Sequence, residues 1–176
     1  MKIRTSRLEL VPATAELIRL EISNHVALGQ VLDAVIPTAW PPESVRDVLE
    51  FFAQELEANP NTEGFSGYYW LLNEPIAGQR TLIGSGGFKG KPNADGTVEV
   101  GYGVLPEFQN QGYATEAVRS LVIWALSHQR IERVIAESFP DNVPSVRVLT
   151  KCGFVNAGIG SEPGVTRFEF SPATLW

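Results

Sequence analysis

The sequence predicts one mixed α/β (α+β) domain built on a mostly antiparallel sheet. Short runs that alternate apolar and polar residues recur along the chain, as at residues 3–11 and 97–105. Between them lie stretches with helical rhythm; Ala114, Ala117, Val118, Leu121, Val122 and Ala125 share one face at i, i+3, i+4 and i+7 spacing. The turn signals Asp95-Gly96 and Glu162-Pro163-Gly164 join neighbouring strands without a crossover. At 176 residues the chain is long enough for one well-buried core and too short for two ordinary domains, so residues 1–176 are expected to form a single domain.

Each element has its own reason. Residues 3–11 alternate and read as a first strand. Thr14 is placed to cap a helix over 15–22 that continues, with a break, to Ala34. Residues 36–42 contain Pro37, Pro41 and Pro42, which lack backbone donors, so this stretch is a loop. Pro42 and Glu43 open a second helix with Val45, Val48, Leu49, Phe52 and Leu56 on one face, and Asn59-Pro60-Asn61 ends it. Residues 67–72 and 82–88 are strands joined near Ala77 and Gly78. Asp95-Gly96 then turns the chain into the 97–105 strand, which Pro106 stops. After a long helix comes a strand over 133–139. Asn142 caps a helix that carries Val146 and Leu149 inward, and Gly153 closes it. Residues 155–160 and 165–170 form a terminal hairpin. There is no repeat, linker or low-complexity segment.

Composition narrows the function classes. A hydrophobic content of 44% and a mean hydropathy near zero are those of a soluble globular chain. Net charge is −6, from 14 basic and 20 acidic residues, with no basic run; no direct nucleic-acid partner is expected. An acidic surface suits a cationic substrate and equally serves solubility. No apolar run nears the roughly 18 residues of a membrane-spanning helix, and the N-terminus reads as a strand rather than a signal peptide, so no membrane partner is expected. Cys152 is the sole cysteine, which rules out an intrachain disulfide; a cytoplasmic location and a buried structural thiol are the expectations. His25 and His128 lie off the strands that matter below and read as structural. No metal is expected.

The most informative stretch is Gln109-Asn110-Gln111-Gly112-Tyr113-Ala114, between an apolar strand and an amphipathic helix. A helix start leaves backbone N–H groups without partners and adds partial positive charge. Gly112 and Ala114 keep that end slim enough for a pyrophosphate to dock. Two better-known phosphate loops fail. No Lys follows Gly112, as nucleotide hydrolysis by a P-loop would need, and Gly84-Ser85-Gly86-Gly87-Phe88-Lys89-Gly90 is one residue too long for a dinucleotide fingerprint and runs into a turn.

The remaining pattern, Gln-x-x-Gly-x-Ala between strand and helix, resembles the cofactor motif of the GNAT superfamily of acetyl-CoA-dependent N-acetyltransferases. Val98-Glu99-Val100-Gly101-Tyr102 looks like that family's fourth strand. Asn142, Ser145, Gly153 and Phe154 match its Asn-x-x-Ser…Gly-Phe segment. Thr5-Ser6-Arg7-Leu8-Glu9-Leu10-Val11-Pro12 resembles the opening strand of the RimJ/RimL-type subgroup.

The resemblance implies a GNAT-like sheet that splays between its fourth and fifth strands, with helices on both faces. It also implies a division of roles. Val104 and Leu105 would give main-chain contacts to the pantetheine arm or acetyl carbonyl. Gln109, Asn110, Gln111, Gly112, Tyr113, Ala114 and Thr115 would hold the pyrophosphate, with Asn142 as a further cofactor contact or a helix cap. Glu99 would be the base, with Glu137 a weaker rival. Ser145 would protonate or hydrogen-bond the leaving thiolate, or cap its helix. Trp40 would wall the acceptor pocket.

The implied function is transfer of an acetyl group from acetyl-CoA to a primary amine, by direct attack in a ternary complex. The alternative is a non-catalytic acetyl-CoA sensor or interaction module. An α-amine with a pKa near 7.8 needs only about 1 kcal/mol to be neutral at pH 7, whereas lysine needs roughly 4.6. That favours a peptide N-terminus slightly over a small-molecule amine as acceptor. The expected assembly is a monomer or a homodimer.

Overall fold

The first expected strand divides. In the computed structural model, which describes residues 1–62, 64–73 and 78–171 apart from the Ser44 side chain, Ile3–Arg4 (β1) and Leu8–Pro12 (β2) pair antiparallel. Between them the Thr5 N–H donates to the Leu8 carbonyl and the Thr5 hydroxyl accepts from the Leu8 N–H. A hydroxyl that bonds nearby backbone competes with the strand ladder, and here it makes a turn.

The break expected after residue 22 falls at Asn24. Thr14 caps Ala15–Ser23 (α1) by accepting from the Leu17 N–H, and Asn24 caps His25–Leu32 (α2) by accepting from the Ala27 N–H. The helix expected from Glu43 is likewise two, the single turn Glu43–Arg46 (α3) and Leu49–Ala58 (α4). The break resets the helical phase. Leu49 and Ala53 are buried, whereas Val48 and Phe52, expected inside, are exposed.

The rest of the chain supplies Gly67–Asn73 (β3), Arg80–Phe88 (β4), Thr97–Val104 (β5), a 3-10 turn over Pro106–Phe108, Tyr113–Leu126 (α5), Arg133–Ser138 (β6), Val143–Lys151 (α6), Phe154–Ile159 (β7) and Thr166–Phe170 (β8). Ala77, expected in the β3–β4 turn, lies outside the described residues. The sheet runs β1-β2-β3-β4-β5-β6-β8-β7. Among the strands of the described residues, only β5 and β6 pair parallel. A parallel pair needs a crossover, and α5 is its helix.

Strand alternation explains why both faces are covered. Tyr68, Trp70 and Leu72 of β3 join a large core under α5 and α6, which also holds Val98, Val100, Leu121, Leu149 and Phe168. Tyr69 and Leu71 point the other way, into a second core with Leu17, Leu28, Leu32 and Trp40 from the α1–α2 side. The expected mixed sheet, mostly antiparallel with helices on both faces, is therefore the observed fold.

The expected splay is present too, and counts as β5 against β6 because the first strand divides. β5 and β6 pair only at Thr97↔Arg133, Val98↔Val134 and Glu99↔Ile135. Past Glu99 they have no register partners, while β4 stays paired with β5 from Val100 to Val104 and β8 pairs with β6 from Ile135 to Ser138. A gap thus opens in the middle of a continuous sheet.

Candidate active site

The wide end of the gap meets the start of α5. Gly112 adopts φ 84° and Asn110 φ 59°, left-handed conformations that glycine and asparagine tolerate best. The first helical bond runs from the Glu116 N–H to the Gly112 carbonyl, so the amides of Tyr113, Ala114 and Thr115 have no partner within the helix. Gln111 Nε2 donates to the Glu107 carbonyl and Gln109 Nε2 to the Val104 carbonyl, tying the loop to the strand end. The Thr115 carbonyl accepts from Cys152 Sγ.

Arg7 completes this corner from the far end of the sequence. Its Nη1 donates to the Gln111 carbonyl at 3.0 Å, and its guanidinium lies 4.4 Å from the Tyr113 ring centroid. A side chain on Gly112 would begin 3.4 Å from Arg7 Nη2. Glu116 fixes Arg7, accepting from its Nε at 2.7 Å and its backbone N–H at 2.9 Å, with Thr5 Oγ1 at 2.6 Å and Ser6 Oγ at 3.0 Å. Burial pushes the Glu116 carboxyl up, but these hydrogen bonds outweigh it and hold the group below its ordinary value. The corner therefore has an amide fan without helical partners and a guanidinium whose place is set by a paired carboxylate.

Backbone direction follows from two bonds. The Leu105 N–H donates to the Ile83 carbonyl, and the Glu99 carbonyl accepts from the Lys89 N–H. Odd-numbered residues of this strand thus turn their backbone toward β4, and Tyr102 and Val104 turn theirs toward the gap, where β6 offers no register partner. Leu105 is committed to β4 and fully buried, and the Val104 carbonyl is taken by Gln109. Of the two expected main-chain contacts, the Val104 N–H is the group facing the gap, and the backbone of Tyr102 faces it as well.

Side chains divide by face. On the α5–α6 side, Tyr102 stacks on Trp70 with ring centroids 6.3 Å apart. Its hydroxyl reaches the Ser145 carbonyl at 3.2 Å and Ser145 Oγ at 3.3 Å. Burial pushes the phenol up to about 12. Asn142 is the cap of α6, accepting from the Ser145 N–H, so the Ser145 hydroxyl is not the capping group. Burial likewise raises the Cys152 thiol to about 12, and the side chain is enclosed, as a structural cysteine should be.

On the opposite face, Glu99 forms an ion pair with Lys89 at the closed end of the gap. Glu137, two residues past Glu99's partner Ile135, is clamped by Arg167 at 2.9 Å and by the Ser161 N–H and hydroxyl, which overcome its burial and hold its carboxyl low. That arrangement braces the β7–β8 turn. Trp40 is 2% exposed, and its indole donates to Glu21 Oε1 at 2.8 Å while Tyr69 donates to Oε2 at 2.5 Å. The structure places Trp40 in the second core, beneath Leu105's side of the sheet, and not on an open pocket surface. His128 packs on Phe65 and Trp124, away from the gap.

Residues 7–155 match the family model described as an acetyltransferase (GNAT) domain. The chain belongs to the GNAT acetyltransferase family. It is accordingly an acyltransferase. A Bacillus subtilis relative, the uncharacterized N-acetyltransferase YjdG, is 30% identical over 116 residues, 66% of this chain and 67% of that protein. Two solved structures share the GNAT fold at low identity. The microcin C7 self-immunity acetyltransferase MccE, in complex with acetyl-CoA and AMP, is 20% identical with a TM-score of 0.62, covering 94% of this chain and 92% of that one. RimL, a ribosomal L7/L12 alpha-N-protein acetyltransferase, is 19% identical with a TM-score of 0.62, covering 96% and 93%.

Within this GNAT site, the residues that sequence reasoning missed are those brought in by tertiary contact. Arg7 lies over a hundred residues from the cradle it borders, and Lys89 reaches Glu99 from the next strand. The sequence puts Arg7 inside the first expected strand, where an arginine is too common to single out.

Proposed function

We propose that this chain transfers an acetyl group from acetyl-CoA to a primary amine by direct attack in a ternary complex, with a peptide N-terminal α-amine favoured over a small molecule. The observation that carries the reading is the gap itself. One strand, β5, offers the Tyr102 hydroxyl, next to Ser145 of α6, on one face and a carboxylate on the other, beside an amide cradle at its end.

The α5 amides and Arg7 would hold the pyrophosphate. The gap-facing backbone of Tyr102 and Val104 would pair with the pantetheine arm, which runs back along β5 toward the closed end. The thioester then lies between the two faces. Glu99, once Lys89 yields, accepts one proton of the incoming ammonium directly or through water. The amine nitrogen then bonds to the carbonyl carbon as the C–S bond breaks, and the second proton it loses passes to the departing sulfur. The sulfur leaves toward Tyr102 and Ser145. A thiolate of pKa about 8.5 needs a hydrogen-bond donor there more than a strong acid. A phenol raised to about 12 stays protonated and remains such a donor.

MccE was solved with acetyl-CoA, which supports the same donor here. RimL's description, together with the Thr5–Pro12 opening, supports a RimJ/RimL-type N-terminal acceptor. The test is calorimetric titration with acetyl-CoA of wild type beside Gly112→Glu, followed by mass spectrometry of peptides offered as acceptors. Micromolar-order binding lost in the variant, with acetyl gain at a peptide N-terminus, is expected. A folded wild type that binds no acetyl-CoA would sink the reading.

A further inference from the structure

Most glycines around the gap are explained by the fold. A Cβ on Gly84 would meet the Gly103 carbonyl at 2.6 Å, and one on Gly87 the Ser66 carbonyl at 2.2 Å. A Cβ on Gly86 would strike Tyr102 Cβ at 2.5 Å. Others, such as Gly96 and Gly112, occupy left-handed conformations.

Gly101 has neither reason. Its φ is not left-handed, and a Cβ there would meet only Lys89 Cε, at 3.6 Å, which is ordinary contact. Alanine would also suit a strand better, because glycine loses more freedom on ordering. Gly67 shares this freedom but lies two strands from the gap. Gly101, by contrast, is on β5 just past the last β5–β6 pair, on the face that carries Glu99, and it is half-buried. Its missing side chain leaves space beside the carboxylate that, among the described residues, only the Lys89 side chain borders.

We propose that Gly101 is a specificity-determining position of the acceptor site: it keeps open the slot past Glu99 through which the amine reaches the thioester, and so selects an amine borne on a slim, extended chain. The inference rests on the acetyl-transfer reading above. A methyl at position 101 narrows the slot on the acceptor side and leaves the donor side, across the strand, untouched.

The experiment compares wild type, Gly101→Ala and Gly101→Val for release of free CoA thiol. The acceptors are a pentapeptide with a free N-terminal serine and, separately, putrescine; acetyl-CoA affinity and melting temperature are measured in parallel. Gly101→Ala should raise the acceptor KM about tenfold, the discrimination expected of a one-carbon change in a pocket, and Gly101→Val should raise it further. Acetyl-CoA affinity should stay unchanged, and the melting temperature of the alanine variant should hold or rise. An active wild type with unaltered acceptor KM in both variants overturns the inference and leaves the acetyl-transfer reading standing. Loss of acetyl-CoA affinity without a change in acceptor KM assigns Gly101 to the donor side and overturns it equally. A wild type that binds acetyl-CoA but acetylates neither acceptor removes the amine-transfer reading, and this inference with it.

Discussion

Two carboxylates, Glu116 at the cradle and Glu21 among the N-terminal helices, are enclosed in opposite ways. Glu116 takes hydrogen bonds from a guanidinium, a backbone amide and two hydroxyls, and its charge is favoured. Glu21 is 3% exposed and has only the Trp40 indole and the Tyr69 phenol; burial dominates and raises its carboxyl. The difference lies in partner charge more than in depth. The cradle corner keeps an ionised pair that sets where Arg7 sits, while the helical half is pinned by a neutral aromatic clasp that owes nothing to an anionic ligand.

The largest effect expected from breaking that contrast is at Glu21. Glu21→Ala leaves a cavity and two buried donors without an acceptor, costing about 3 kcal/mol in urea unfolding. Acetyl-CoA affinity should be unmoved, and a variant as stable as wild type would show that the clasp holds nothing. Glu116→Gln should cost less, about 1–2 kcal/mol, because the amide keeps one acceptor and the surroundings are wetter. Unlike the first change, it should weaken acetyl-CoA binding in a titration, since Arg7 is no longer fixed beside Gly112.

The smallest effect, and the sharpest test of sign, is in pH. Glu116 has a folded pKa below its ordinary 4.5, so its contribution is present above that value and is lost as pH falls through the folded pKa. Glu21 is raised above 4.5, so its contribution is full below that value and is lost as pH rises through its folded pKa. Melting temperatures at stepped pH should show Glu21→Gln flattening the change above 4.5, and Glu116→Gln flattening the fall below 4.5. The reverse assignment would refute the account of both environments.

What the sequence revealed follows the range of the forces involved. The loop that opens α5, the caps at Thr14 and Asn142, and the Asp95-Gly96 turn are local chemistry, and they stand where the residues said. Helix continuity in the N-terminal half was harder to read, since Asn24 suits both a helix interior and the cap it became. The break between Arg46 and Leu49 carries no strong breaker, so the buried face was misphased at Val48 and Phe52. At the candidate site, strand alternation sets Glu99 across from Val98, Val100 and Tyr102. Its Lys89 partner, the hydroxyl contact between Tyr102 and Ser145, and Arg7's approach to Gly112 all depend on how distant segments meet. Trp40, expected to wall an acceptor pocket, illustrates the same limit: only the fold brings its indole onto Glu21.

The sheet is in effect two half-sheets spliced by three residue pairs, with bare backbone along the open stretch. An extended molecule laid in that opening would serve as the missing rung of a ladder, so occupancy should splint the two halves as well as supply a reactant. Amide exchange at Tyr102 and Val104 would slow first when the rung is in place, and the resistance of both halves to being pulled apart would rise together.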